Sequence, residues 1–298
     1  YILVLIGVVI CLIASAKMNS TFSRYSRVRN HSGMTGRDAA EQILHREGLY
    51  DVRIEHISGN LTDHYDPRTR TLRLSDATYN STSVAALGVA AHECGHINFS
   101  NFEKRRIYAS GIREGILYPE LPEPKNEEEK QVLGELQVCL EQKKEKELRV
   151  IRETLLYLHN ILEDMYIEAR QCAEYGGIVQ KAIRFLGRWD MEQAESIRQM
   201  QEYGMDSLSI MKNVLLQYLR SKKVNDWERA GGIYMEMLER CKETLDEVVI
   251  PADEDVRFRA ANRLLLILWE FVKEAFEQEE SGNCLLYTSP SPRDMRRS

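Results

Sequence analysis

The sequence predicts an α+β protein in which helices predominate. Short segments of alternating hydrophobic and polar residues, typical of strands, occur between residues 52 and 75. They are followed by an apolar stretch, VAALGVAAHECGHI, and after residue 98 by long amphipathic stretches with helical periodicity. We therefore expect a small N-terminal β unit, one apolar helix and a helical C-terminal region.

The composition is that of a folded protein with free thiols. Of the 298 residues, 43% are hydrophobic and 29% are charged, a balance that separates the chain from disordered proteins. The formal net charge of −6 argues against a nucleic acid as the partner. Six cysteines occur without a CxxC pair, which favours a reducing compartment over a disulfide framework.

The first sixteen residues, 1–16, are apolar and uncharged. A membrane span needs about 20 such residues, and the sequence begins with Tyr rather than Met, so we expect a truncated transmembrane anchor. Basic residues follow it: Lys17, Arg24, Arg27 and Arg29. This order of charges predicts a cytoplasmic location for the rest of the chain. The alternative is a secretory signal peptide, for which Ala14 to Ala16 is a cleavage-like feature.

The last residues, 284–298, are similar to one reading frame of a sequencing adapter. We interpret them as an artefact and exclude them from the fold. The alternative is a natural tail rich in serine and proline.

Between these ends, residues 17–97 predict a compact α+β part. Thr35 is a candidate N-cap for a helix that reaches Glu47 and ends before Gly48. A strand near residues 52–57 and a second strand over residues 71–75 follow. We expect the second strand to be an edge strand that binds an extended peptide by strand addition.

Residues 98–283 predict a helical region that is interrupted by a proline-containing loop over residues 115–125. The predicted helices cover residues 128–175, 191–221, 225–247 and 254–279. The apolar run over residues 264–272 is too short for a membrane span and predicts a core helix.

The apolar helix carries the pattern HExxH, formed by His92, Glu93 and His96. Residues four apart lie on one face of a helix, so the two imidazoles can bind one Zn²⁺ ion. Glu93 is then expected to act as the catalytic base on the water that zinc activates. Cys94, beside the motif, is expected to be a small buried side chain rather than a ligand.

A third zinc ligand is expected in the helical stretch that begins at His159. Glu163 is the first choice as ligand and Asp164 the second, while Glu168 is a supporting or alternative ligand. His159 is interpreted as a packing or supporting residue. The alternative for all these acids is a solvated helix surface, but the hydrophobic residues around them favour a buried face.

His64 and Tyr65 lie in a polar segment between the two predicted strands. Either side chain is a candidate for stabilising the transition-state oxyanion. The structural alternative is a turn, in which Asp66 and Pro67 start the turn and Asp63 caps it. The turn is the interpretation that we favour.

With these motifs in place, residues 1–97 resemble the bacterial membrane-anchored neutral zinc metallopeptidases. The resemblance rests on TFSRYS (21–26), SGMTG (32–36), GLYDV (48–52), LTDHYDP (61–67) and VAAHECGH (89–96). It implies a zincin-like fold around the HExxH helix and agrees with an N-terminal anchor.

Residues 98–283 instead resemble metallopeptidases that are linked to a von Willebrand factor A domain and are often encoded on mobile elements. The carrying segments are FSNF (99–102), YPELP (118–122), NILEDMYIEAR (160–170) and NRLL (262–265). Both families contain an AHExGH helix, and the two resemblances meet on it. We interpret the chain as an assembly chimera of two genes, with a natural fusion as the alternative.

The function predicted from these observations is that of a zinc metalloendopeptidase of the HExxH type. It would hydrolyse peptide bonds of a peptide or protein substrate, anchored at the cytoplasmic face of a bacterial membrane. The alternative is a helical interaction scaffold with a structural or inactive metal site, formerly attached to a von Willebrand factor A domain.

Overall fold

The structure, a computed structural model, describes residues 26–60, 62–118, 123–248 and 253–280. The predicted anchor (1–16) and the predicted adapter-like tail (284–298) lie outside these residues. Among the helices that are described, none combines the length and the hydrophobicity needed to cross a bilayer.

The described chain contains three strands, and helices account for most of the remainder. The strands are β1 (Arg53–Ile57), β2 (His64–Asp66) and β3 (Thr71–Ser75). The helices are α1 (Gly36–Arg46), α2 (Val84–Phe99), α3 (Phe102–Arg113), α4 (Glu127–Gln142), α5 (Glu145–Glu174), α6 (Ile178–Gln193), α7 (Ile197–Glu202), α8 (Ser207–Ser221), α9 (Gly232–Glu247), α10 (Glu254–Ile267) and α11 (Trp269–Glu280). The predicted class, α+β with predominant helix, is therefore confirmed.

The chain forms two compact units. Of the described residues, the first unit contains those up to Asn98 together with Arg170–Ala194, and the second contains Phe99–Ala169 and those from Glu195 to residue 280. The first unit is thus built from two stretches that are far apart in the sequence.

In the first unit, α1 begins and ends as predicted. The Thr35 side chain accepts a hydrogen bond from the Asp38 N–H, and the Asp38 carboxylate accepts one from the Thr35 N–H, which completes a capping box. Gly48, just beyond the C-cap, adopts a φ of +74°, a left-handed conformation that favours glycine.

The sheet has the order β1–β3–β2, which corrects one prediction. β1 pairs with β3 in parallel, and β2 pairs with β3 in antiparallel fashion. Residues 71–75 therefore form the central strand of this sheet, and the prediction of an edge strand there was wrong. The sequence pattern did not reveal β2, whose three residues are too few to show a periodicity.

The segment before β2 is also built differently from the prediction. The Asp63 carboxylate accepts hydrogen bonds from the N–H and the hydroxyl of Ser75, at 2.8 and 2.9 Å, so it joins β3 rather than capping the turn. The turn itself is present, and the Asp66 carboxylate accepts a hydrogen bond from the Arg68 N–H.

In the second unit, the helices are shorter than predicted because polar caps divide them. Lys143 adopts a left-handed conformation (φ 51°) and separates α4 from α5 within the predicted helix 128–175. Ser196 and Asp206 cap α7 and α8 within the predicted helix 191–221. The predicted helix 225–247 begins only at Gly232, because the Asp226 carboxylate binds the Ala230 N–H in a preceding turn.

The predicted helix 254–279 is likewise divided, at Leu268, into α10 and α11. The apolar run within it is buried as expected, and Trp269 is among the largest fully buried side chains of the unit. These residues form the core of the second unit together with α3, α5, α8 and α9.

Candidate functional site

The HExxH motif lies on α2, a helix buried along most of its length. The Ser83 hydroxyl accepts a hydrogen bond from the Ala86 N–H and caps the helix. All residues from Ala85 to His96 are buried, including the three polar residues of the motif. An apolar helix of this kind places the motif inside the first unit rather than on its surface.

His92 and His96 face one another on this helix. Their Nε2 atoms are 3.2 Å apart and their rings are nearly perpendicular, at 82°. Each residue is only 1% exposed. Two imidazole nitrogens at about 2.05 Å from a tetrahedral zinc would be roughly 3.3 Å apart. The pair is therefore spaced as two ligands of one zinc ion.

Glu93 lies one position beyond His92 and is 2% exposed. Successive residues of a helix point about 100° apart around the helix axis. The side chain of Glu93 therefore leaves the helix in a different direction from the two imidazoles. A buried carboxylate beside two imidazoles is suited to accept a proton from a water bound there. The role of Glu93 as the catalytic base stays a prediction.

Contacts within the first unit hold α2 in place. The Gln171 amide donates a hydrogen bond of 3.0 Å to the Ala91 carbonyl, one residue before the motif. Gly88 lies against α6, where a Cβ atom would come within 2.6 Å of Leu186 and 2.9 Å of the Ala182 carbonyl oxygen. Cys94 is fully buried, as predicted, and burial raises the pKa of its thiol well above the usual value.

His64 and Tyr65 are neighbours on β2. His64 Nδ1 lies 2.8 Å from the Thr62 carbonyl oxygen and therefore donates to it, so Nε2 is not used in this contact. Tyr65 is 7% exposed and pairs with Leu72 across the sheet, and burial raises the pKa of its phenol. Both roles in transition-state stabilisation stay predictions.

The predicted third-ligand segment lies on α5 in the second unit, and its acids are buried rather than solvated. Glu163 is 1% exposed. Its Oε2 atom accepts a hydrogen bond of 2.5 Å from Arg257 Nε, and its Oε1 atom accepts one of 3.1 Å from the Ser100 hydroxyl. Burial raises the pKa of Glu163, while Arg257 and Ser100 act in the opposite direction.

Asp164 and Glu168 face a second buried arginine, Arg220. Arg220 forms an ion pair with Glu168 and lies 3.8 Å from Asp164. The Asn160 amide contacts the Asp164 carboxylate at 3.4 Å. The assignment of Glu163, Asp164 or Glu168 as a zinc ligand stays a prediction.

His159 lies one turn before Glu163 and is fully buried. Its ring stacks on Phe258 at 4.0 Å between centroids, with an interplanar angle of 9°. Burial, with the nearby charges of Arg105 and Arg257, lowers its pKa well below the usual value, so the imidazole is neutral. The interpretation of His159 as a packing residue agrees with this stacking.

Three charged residues around these acids were not found from the sequence: Arg220, Arg257 and Glu254. Arg257 is fully buried and also stacks on the Tyr166 ring, at 3.9 Å from its centroid. Glu254 is 7% exposed, and burial together with the charge of Glu163 raises its pKa to about 7. The acid-rich but buried face of α5 was the signal that could have prompted a search for such arginines.

Comparison with known proteins supports the zinc-site interpretation for the first part of the chain. Residues 1–106 match the family described as "putative neutral zinc metallopeptidase". The "putative membrane protease YugP" of Bacillus subtilis (strain 168) is 49% identical over 83 residues. That alignment covers 28% of this chain and includes 37% of the length of the relative.

The chain therefore spans well under half the length of the curated relative that it matches. No solved structure matches this chain. The resemblance to zinc metallopeptidases is thus supported by two comparisons. The family match ends at residue 106, and neither comparison supports the resemblance to von Willebrand factor A-linked metallopeptidases stated for residues 98–283.

Proposed function

We propose that this protein is a zinc-dependent peptidase in which His92 and His96 bind the metal and Glu93 is the catalytic base. The observation that carries the proposal is the 3.2 Å separation of the two Nε2 atoms inside a buried helix. When bound, zinc supplies a Lewis acid that polarises the scissile carbonyl and lowers the pKa of a coordinated water.

The residues of the chain then have separate tasks. The two imidazoles hold the ion through neutral nitrogens, and the burial of α2 excludes bulk water around them. Glu93 takes a proton from the attacking water and returns a proton to the leaving amine. His64 or Tyr65 is proposed to donate a hydrogen bond to the developing oxyanion.

For the third ligand we keep the order of preference from the sequence: Glu163, then Asp164, then Glu168. What supports this choice is that all three carboxylates are buried on one stretch of α5 rather than solvated, as a metal ligand requires. Because Glu163 and Glu168 each pair with an arginine, replacing either is also expected to cost stability.

The first test uses Glu93→Gln and His96→Ala in the full chain. We expect Glu93→Gln to bind one zinc at the HExxH site, as the unaltered chain does, but to hydrolyse a labelled unfolded protein about 10²–10⁴-fold more slowly. His96→Ala should lose that zinc. Elemental analysis and a hydrolysis assay measure the two quantities on the same preparations.

Exposed His56→Ala is the matched control for His96→Ala, since both remove an imidazole. Full activity in Glu93→Gln would refute the assignment of the base, and a zinc content in His96→Ala equal to that of the unaltered chain would refute the metal site. Glu163→Gln, Asp164→Asn and Glu168→Gln are compared in the same way. The third ligand is the residue whose variant loses a zinc and, like His96→Ala, loses hydrolysis while remaining folded.

The proposal includes a location at a membrane, with the catalytic helix on the cytoplasmic side. Its support is the apolar segment 1–16, the basic residues that follow it and the name of the relative from Bacillus subtilis. A proteinase added outside intact spheroplasts should leave the chain uncut after residue 30, and should cut it after lysis. Cutting in intact spheroplasts would reverse the orientation.

A further inference from the structure

A second group of metal-ligating side chains lies in the second unit. One ligand atom from each of His159, Glu163 and Glu254 lies within 4.8 Å of those of the other two, and all three residues are buried. His159 and Glu163 come from successive turns of α5, and Glu254 is the first residue of α10. A cation at this point would have one nitrogen and two carboxylate groups around it.

The imidazole of His159 gives an independent indication that something binds there. Neither of its ring nitrogens has a hydrogen-bond partner among the described residues, although the side chain is fully buried. Buried polar groups are nearly always hydrogen-bonded or bound to an ion or water. The stacking on Phe258 fixes the plane of the ring, so one nitrogen is held toward the two carboxylates.

The carboxylate of Glu163 is oriented in the way that metal-binding carboxylates usually are. Ser100 donates to one of its oxygens and Arg257 to the other. Each carboxylate oxygen has two lone pairs, so these bonds leave room for a metal on the same group. The positive charge of Arg257 also offsets one of the two negative charges of Glu163 and Glu254. This disfavours cations that are bound by carboxylates alone.

We propose that His159, Glu163 and Glu254 form a second metal site, separate from the HExxH motif, that takes a zinc-type divalent cation. The imidazole and the reduced negative charge favour Zn²⁺ over Mg²⁺ or Ca²⁺, which prefer sites made of oxygen ligands alone. The site goes beyond the proposed peptidase function, which requires the zinc bound by His92 and His96. With Glu163 bound to the second ion, Asp164 or Glu168 is left as the third ligand of the first.

The test removes the first site and asks whether a zinc remains. The full chain carrying His92→Ala and His96→Ala is dialysed against a slight excess of Zn²⁺, and the bound metal is counted by elemental analysis. We expect one zinc in this variant and two in the unaltered chain. Adding either His159→Phe or Glu254→Gln should remove the remaining zinc, whereas the matched control His64→Phe should keep it.

Glu163 is left unchanged in this test because it is also a candidate for the first site. His159→Phe retains an aromatic ring on Phe258, and Glu254→Gln retains the shape of its side chain. If circular dichroism shows that His159→Phe does not fold, Glu254→Gln decides alone.

Two results would overturn the proposal: no zinc in the chain that lacks both motif histidines, or a zinc that stays bound in Glu254→Gln. Co²⁺ in place of Zn²⁺ gives a further readout. A thiolate-to-cobalt charge-transfer band would assign the remaining ion to a cysteine and would also contradict the proposal, while bands of nitrogen and oxygen ligation support it.

Discussion

Lys212 is partly buried in the second unit, and its surroundings make the charge of its amine costly. Burial lowers the pKa of Lys212 to about 8, although the charges of Asp206 and Glu153 act against this shift. The cavity beside it, which Glu153 and Asp206 line together with Thr154, is small. Lys212 must therefore carry a partly buried charge at neutral pH.

This predicts how the free energy of unfolding varies with pH. Because the pKa of Lys212 is about 8 in the folded state and near 10.5 when unfolded, the unfolded chain binds more protons between these values, and stability rises with pH there. Lys212→Met should be more stable than the unaltered chain at pH 7, by on the order of 1 kcal/mol, and should lose this advantage by about pH 10.

Urea unfolding at pH 7 and pH 10 measures the effect, with Lys223→Met as the control at an exposed position. An equal change in Lys223→Met would assign the pH dependence to general charge effects instead. A Lys212→Met variant that is less stable at pH 7 would show that packing of the side chain outweighs the desolvation of its charge.

At the scale of residues, local geometry decided what the sequence could predict. The pairing of His92 with His96 depends only on the helical repeat, and the capping by Thr35 on a spacing of three residues. Glu163 pairs with Arg257, which is 94 residues away, and no spacing rule connects them. The role of Asp63 was missed for the same reason, since its partner lies on another strand.

Helices α2 and α6 approach each other closely at Gly88. Gly88→Ala should gain up to about 1 kcal/mol of helix propensity. The added Cβ would lie 2.9 Å from a backbone oxygen of Ala182, which cannot rotate away as a side chain can. Overpacking typically costs about 1–3 kcal/mol, so we expect a net destabilisation of about 1 kcal/mol.

Gly134→Ala is the matched control, because Gly134 lies within α4 and a Cβ there meets nothing within 4 Å. It should stabilise the protein by several tenths of a kcal/mol in the same thermal or urea measurement. If both variants are stabilising, α2 and α6 are not in the close contact that the geometry indicates.

The ion pair between Glu163 and Arg257 connects α5 with α10 in the second unit. Removing one partner leaves the other charge buried, so Arg257→Met and Glu163→Gln should each cost about 3–5 kcal/mol. The double variant should cost clearly less than their sum, since it leaves no unpaired charge. Urea unfolding gives the free energy of unfolding of the unaltered chain, the two single variants and the double variant. EDTA is present in all four measurements, so that bound metal does not contribute.

The exposed pair Arg198–Glu202 provides the comparison, and its coupling should not exceed about 0.5 kcal/mol. Strictly additive effects of Arg257→Met and Glu163→Gln would mean that the two charges are stabilised independently. In that case Glu163 could not be described as held in place by Arg257.

At the scale of elements, the sequence predicted where helices occur better than where they end. Lys143 ends α4 in a left-handed conformation although it is not glycine, so the predicted helix continued through it. The central position of β3 depends on pairing with β2, a strand of three residues that has no periodicity of its own. Both features are determined by tertiary contacts rather than by the local pattern.

For the whole molecule, the composition of the first unit bears on the interpretation that the chain joins two genes. That unit contains Arg170–Ala194 in addition to the residues up to Asn98. Tyr175 donates a hydrogen bond to Glu47, and Gln171 donates one to the carbonyl of Ala91. Side chains from the two stretches thus form specific hydrogen bonds with each other. Two segments from unrelated genes would not be expected to form such contacts.

This gives a prediction about fragments. A fragment that ends at residue 106, where the match to the metallopeptidase family ends, lacks the helix that packs against Gly88. We expect it to show no cooperative unfolding transition by circular dichroism, because the apolar surface of α2 would stay exposed to water. Joining residues 170–194 to it through a flexible linker should restore the transition.

The linked fragment with Gly88→Leu serves as its control, since a bulky side chain at this position blocks the packing of α6 without changing the length of the chain. A cooperative transition in the shorter fragment would show that residues 170–194 are dispensable for the first unit. That result would favour the interpretation that the chain joins segments of two genes. Restoration that depends on Gly88 would instead mean that the HExxH helix and residues 170–194 fold as one unit, as a single evolved gene requires.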